Sequence, residues 1–125
     1  MDLKDWKTDK AKETGGVWVP VGGDTEFLVA RSTSPRYEAV QNKWIKKLCP
    51  MGQDADPEKF QDAISHAMAE AIFLGWKHLK MDGKELKYST EEAYNVLSGY
   101  FDVKELVATI AQDRTVFAPD AVAKK

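Results

Sequence analysis

The chain has 125 residues, of which 43% are hydrophobic and 30% are charged, and its formal net charge is −2. This balance is typical of one soluble globular domain with a modest core and excludes a disordered chain. A slightly acidic chain is also a poor candidate for general nucleic-acid binding, which usually depends on a strongly basic face. A basic patch over residues 31–48 is better explained as a solvated helix face.

Cysteine content and hydropathy predict the compartment. Cys49 is the only cysteine, so an intramolecular disulfide is excluded and a reducing setting is favoured. The first residues lack the apolar stretch of a signal peptide, and no apolar run approaches the roughly 20 residues of a membrane span. We therefore expect a soluble protein of the cytoplasm with no membrane partner.

The N-terminal segment, residues 1–15, alternates acidic and basic side chains. Only Leu3 and Trp6 are suited to packing against a core. This pattern predicts a flexible or frayed segment ahead of the globular domain.

Residues 16–37 read GVWVPVGGDTEFLVARSTSPRY and contain two short apolar runs on either side of Gly22, Gly23 and Asp24. Alternating apolar side chains around a glycine-rich tip indicate a β-hairpin. Pro20 cannot donate to a strand ladder, so the first run is predicted to be an edge strand.

Two helices are expected next, each opened by the same kind of start signal. Ser34 and Asp56 are suitable N-caps, and each is followed by a proline at the first helical position. The second helix has an apolar face that continues to Leu79. On this helical wheel Phe73 lies on the polar side and Trp76 lies at the margin of the apolar face.

The remaining sequence predicts a turn and two further helices. Asp82-Gly83 is compatible with either a small second hairpin or a helix-to-helix loop. Ser89 and Glu92 form a capping box that opens a helix, and Asp102 is the expected cap of a last helix. The fold class expected is therefore α+β and mostly α, with an N-terminal β-hairpin followed by about four helices. The expected division is a flexible or frayed segment at 1–15, a single globular domain at 16–113, and a mobile C-terminal tail at 114–125.

The sequence contains no recognisable catalytic constellation. His66 and His78 are twelve residues apart on one predicted helix, or about 18 Å, which is too far to share a metal. Cysteine clusters and a phosphate-binding glycine loop are also absent from the sequence. We therefore expect no enzyme, no catalytic residues, no cofactor and no metal.

Two stretches carry a resemblance to a known family. The run GVWVPVGGDTEFLVARSTSPRY, followed by a helix ending WIKKL, resembles tail assembly chaperones of long-tailed bacteriophages, and LGWKHLKMDGKELKYSTEEAYNVL is similar to a later part of such proteins. With the helix between them, these stretches cover most of residues 16–112. The resemblance implies a non-enzymatic chaperone that binds the phage tape measure protein and supports tail tube assembly in the host cytoplasm. It also implies a longer, frameshifted form that contacts the major tail tube protein. The alternative is a structural or head–tail completion protein of a phage virion.

A chaperone for an apolar client needs exposed hydrophobic surface on a soluble scaffold. Four aromatic residues are the candidates for partner binding, with core or oligomer packing as the alternative for each: Phe73, Trp76, Tyr94 and Phe101. The predicted edge strand is a candidate for self-association by strand pairing, through Val17, Trp18 and Val19. A homo-oligomer is therefore a further expectation, whereas nucleic acid is not an expected partner.

Overall fold

The computed structural model describes residues 1–51 and 56–119, which contain five α-helices and two small antiparallel sheets. The helices are α1 (Lys10–Gly15), α2 (Pro35–Leu48), α3 (Pro57–Ala71), α4 (Thr90–Gly99) and α5 (Phe101–Gln112). The strands are β1 (Val17–Gly22), β2 (Thr25–Val29), β3 (Phe73–Lys77), β4 (Lys80–Met81) and β5 (Lys84–Glu85). Short 3₁₀ turns lie at Leu3–Trp6 and Arg114–Phe117.

The expected order of elements, an N-terminal β-hairpin followed by about four helices in a mostly α, α+β fold, is wrong. Helical segments come first, the strands begin at Val17, and strands return after α3. The side chain of Asp2 accepts a hydrogen bond from Lys4 N–H, and the side chain of Asp9 accepts from Ala11 N–H and Lys12 N–H. These two aspartates are N-caps. The alternating acidic and basic residues of this segment therefore contain two helix starts that the charge pattern alone did not indicate.

The second difference concerns the chain after α3, which was expected to stay helical to Leu79. The helix ends at Ala71, and β3 then pairs antiparallel with β2, placing Trp76 opposite Phe27 and Gly75 opposite Leu28. A short apolar run of this kind fits either a helix face or a buried strand. Tertiary packing on β2 decided the outcome, because that pairing buries both aromatic residues of the run.

The first hairpin forms with the expected strands. Val17 pairs with Val29 and Val19 pairs with Phe27. The larger sheet has the order β1-β2-β3, which confirms the edge position predicted from Pro20. The smaller β4–β5 sheet is the second hairpin, and its Asp82 and Gly83 both have positive φ, as a type I′ turn requires.

Three expected caps are present and one is not. Ser34, Asp56 and Ser89 accept hydrogen bonds from backbone N–H groups in the first turns of α2, α3 and α4. Asp102 is not a cap, because α5 already begins at Phe101, with Tyr100 at the N-cap position. This earlier start leaves two adjacent aromatic residues at the junction of α4 and α5.

The two terminal segments contact each other. Backbone N–H of Asp9 donates to the carbonyl oxygen of Phe117 at 2.8 Å, and a guanidinium N–H of Arg114 donates to the carbonyl oxygen of Asp5 at 2.9 Å. Phe117 is completely buried. The division into a domain at 16–113 with two mobile ends stays a prediction, and residues 120–125 of the expected tail lie outside the described residues.

Candidate partner-binding surface

Two of the four aromatic candidates lie in the core between the sheet and the helices. Phe73 is 0% exposed and Trp76 is 7% exposed. The ring of Phe73 packs edge-on against Phe27 at 4.8 Å between centroids, and indole N–H of Trp76 donates to the carbonyl oxygen of Leu86 at 2.7 Å. In this fold neither ring offers an accessible surface to a partner.

The third candidate, Tyr94, belongs to a stack of three rings that joins α2, α3 and α4. Its ring lies 3.8 Å from the imidazole of His66, whose other face lies 4.1 Å from Trp44, and both pairs are parallel to within 8°. The hydroxyl of Tyr94 donates to the carboxylate of Asp62. Tyr94 is half-buried, and its contacts within this stack account for its position.

The electrostatics of this stack follow from its partial burial. Burial lowers the pKa of His66, and the nearby carboxylate of Asp62, 3.8 Å from the imidazole Nε2, opposes that effect. The hydrogen bond to Asp62 raises the pKa of Tyr94, and burial adds to the rise. Trp44 and Tyr94 cover the two faces of the imidazole. Only the edge of the ring is therefore open to a further group.

The fourth candidate, Phe101, is exposed. Its side chain is 70% exposed and that of the preceding Tyr100 is 50% exposed. We call this pair the aromatic corner. Phe101 is a candidate that the sequence predicted, whereas Tyr100 is a neighbour that the sequence analysis did not single out. The signal that could have identified Tyr100 is its place at the break between α4 and α5.

A groove lies on each side of the aromatic corner. The hairpin groove, of about 310 Å³, lies between the β4–β5 hairpin and the α4–α5 junction. Its apolar lining consists of Leu79, Met81, Leu86, Val96, Tyr100 and Val103. The α3–α5 groove, of about 490 Å³, has both apolar and charged side chains in its lining, among them Glu58, Asp62, Leu97, Phe101 and Lys104.

The edge strand offers a second, smaller surface. Val17 and Val19 pair with core residues of β2, whereas Trp18 lies on the opposite face of the sheet and carries the ammonium of Lys77 at 4.3 Å from its ring centroid. Pro20 removes a backbone donor from this edge, and the register is irregular just after it. The regular edge available for pairing is therefore short.

The histidines and the cysteine do not form a metal site. His78 lies 3.4 Å from a carboxylate oxygen of Glu85, and Cys49 is buried. Among residues 1–51 and 56–119, there is no group of three or more histidine, cysteine, aspartate or glutamate side chains that could hold a metal ion. The same residues contain no helix with both the length and the apolar character needed to cross a bilayer.

The comparison with known families identifies the origin of the chain. A sequence model of a prophage protein family matches residues 32–125, which makes this a phage-derived protein. The chain belongs to the YdaY prophage protein family. The match includes the aromatic corner and both grooves, and it begins after the β1–β2 hairpin. No curated protein and no solved structure matches the chain.

Proposed function

We propose that this prophage protein is a tail assembly chaperone that binds the tape measure protein and supports assembly of the tail tube, without enzymatic activity, in the host cytoplasm. The observation that carries the proposal is the aromatic corner, where two adjacent large side chains, Tyr100 and Phe101, remain half or more exposed. Contiguous exposed apolar surface on a soluble domain is typical of a protein-binding site.

The architecture around the corner suits an apolar client. Apolar and aromatic side chains form most of the lining of the hairpin groove, with Lys80 and Asp82 as its charged members. Aromatic residues are enriched among the residues that dominate binding energy in protein interfaces. The family membership supports a role in phage biology. The resemblance of residues 16–112 to tail assembly chaperones supplies the client, and a frameshifted longer form would add the contact with the major tail tube protein.

Co-expression with the tape measure protein of the same prophage tests this function. The wild-type chain should increase the soluble fraction of the tape measure protein, and the double variant Tyr100→Ser, Phe101→Ser should lose most of that effect. The matched control is Leu3→Ser, which changes a side chain that is 78% exposed and distant in sequence from the corner. Thermal unfolding of each variant should match the wild type, because the three side chains are exposed.

The composition of mature tails separates the two virion-related functions. A chaperone should be absent from purified tails, whereas a structural or head–tail completion protein should be present in fixed stoichiometry. Stoichiometric recovery of this chain from purified virions would contradict the chaperone proposal. A chain that neither enters virions nor solubilises the tape measure protein would contradict both functions.

A further inference from the structure

We propose that the aromatic corner binds one amphipathic α-helix of the client, with aliphatic residues entering the hairpin groove and lysine or arginine residues lying over the α3–α5 groove. The inference rests on the proposed function, because it names the recognition chemistry of the same surface. It goes beyond that function in fixing both the secondary structure and the charge of the bound segment.

The apolar half of the surface is a row of side chains along the α4–α5 junction. Val96 of α4, Tyr100 at the break between the two helices and Val103 of α5 line the hairpin groove together with apolar residues of the hairpin. Met81 is 43% exposed, so the groove is open to solvent along the hairpin. A partner helix with aliphatic residues at positions i, i+3 or i+4, and i+7 presents one apolar stripe to such a groove.

Backbone pairing is a poor alternative at this groove. Its other wall is the β4–β5 hairpin, whose two strands are only two residues long. An extended peptide gains affinity mainly from a run of main-chain hydrogen bonds along a free edge. So short an edge provides few such bonds, whereas a helix satisfies its backbone internally and needs only the apolar contact.

The charge of the partner follows from the α3–α5 groove. Glu58 and Asp62 line this groove beside Phe101, and exposed Glu105 follows Phe101 by one helical turn. The ammonium of Lys104 is directed toward Gln61, at 3.2 Å from its Oε1. Lys104 keeps its charge and interacts with Asp62 and Glu105, so three carboxylates stand against one ammonium and leave a net negative charge on the side of the corner that Phe101 occupies. A basic flank complements these carboxylates, and it also suits the exposed ring of Phe101 through a cation–π contact.

The test uses two synthetic amphipathic helices of about 18 residues, or 27 Å, with identical leucine positions. One carries lysine on its polar face and the other carries glutamate. Isothermal titration with the full chain should show tighter binding of the leucine/lysine peptide, and Tyr100→Ser should weaken that binding by about thirtyfold, the loss expected of an interface hot spot. The Leu3→Ser variant should bind as the wild type does.

A pair of charge variants isolates the electrostatic part. Glu58→Gln with Glu105→Gln should reduce the preference for the lysine peptide by at least about threefold, and the wild-type preference should weaken as salt is raised. The control, Glu38→Gln with Glu91→Gln, removes two carboxylates from the first turns of α2 and α4 and should leave the preference unchanged.

The outcomes separate this inference from the proposed function. Equal binding of both peptides, or a loss of preference that is the same in the control pair, would overturn the inference even if the tape measure protein is solubilised. Binding that is insensitive to Tyr100→Ser would also overturn it. Binding of the lysine peptide that is lost in Tyr100→Ser supports the inference. An insoluble tape measure protein in the co-expression assay would then contradict only the chaperone function.

Discussion

The substitution Phe73→Ala tests the difference between the expected helix and the observed strand. Phe73 is 0% exposed, packs edge-on against Phe27 at 4.8 Å, and lies 5.3 Å from Trp76 between ring centroids. Truncating a fully buried phenylalanine costs about 3–5 kcal/mol, because apolar contacts are lost and a cavity remains. The free energy of unfolding should fall by that amount, a large share of the roughly 5–15 kcal/mol of a typical domain.

Urea unfolding followed by tryptophan fluorescence measures this loss, since the chain has four tryptophans. The midpoint should fall and the denaturant dependence, the m value, should stay constant. If the chain from 72 to 79 were helical with Phe73 on a polar face, the cost would be within about 0.5 kcal/mol. Phe101→Ala is the matched control, because this side chain is 70% exposed, and its effect should be within about 0.5 kcal/mol.

A loss below about 1 kcal/mol for Phe73→Ala would refute the packing argument, because that value is outside the range for buried aromatic residues. If the alanine variant does not fold, Phe73→Leu keeps most of the volume and should lose about 1.5 kcal/mol. A leucine variant as stable as the wild type would refute the argument equally.

Three further predictions concern local features of the fold. Gly16 has φ +89, and a Cβ there would lie 3.0 Å from Cδ1 of Leu28. Gly16→Ala should therefore lower the free energy of unfolding by about 1–3 kcal/mol. Gly15→Ala is the control and should not lower it, because a Cβ at Gly15 would have no neighbour within 4 Å. Burial lowers the pKa of His66 below 6.5, so the unfolded chain binds a proton at this residue more readily than the folded chain does. The contribution of His66 to stability is therefore fully present above pH 6.5 and is lost as the pH falls from 6.5 through the lower pKa of the folded state. The stability difference between wild type and His66→Gln should shrink over that range, and a constant difference would contradict the assignment. Finally, Tyr88→Phe removes a 2.7 Å hydrogen bond to the carbonyl oxygen of Phe73 and should cost about 0.5–1.5 kcal/mol in the same urea assay.

The candidate site was only partly predictable from sequence. Phe101 was identified as an aromatic with a possible role on the surface, and the structure leaves it exposed. Phe73 and Trp76 are candidates because a helical wheel places Phe73 on the polar side and Trp76 at the margin of the apolar face. That criterion does not apply to a strand, in which side chains alternate between two faces. The register shift between Leu28 and Val29, which pair with Gly75 and Phe73, allows both rings to face the core although they are three residues apart.

The sequence by itself determined the local starts and turns of this protein. Ser34, Asp56 and Ser89 cap helices through bonds to N–H groups two or three residues away, and Asp82-Gly83 supplies the positive φ of a tight turn. These features depend on neighbours in the chain, so a local pattern is sufficient to predict them.

Only the tertiary structure decided the conformation of residues 72–79 and the exposure of the aromatic residues. The run containing Phe73 and Trp76 is apolar enough for a helix face, and its pairing partner β2 lies more than forty residues earlier in the chain. Burial against that distant strand outweighs local preference, since the free energy of packing two aromatic rings exceeds the small differences in intrinsic propensity. The aromatic corner likewise exists because α4 ends at Gly99 and α5 begins at Phe101, with only Tyr100 between them, which leaves Tyr100 and Phe101 outside the core.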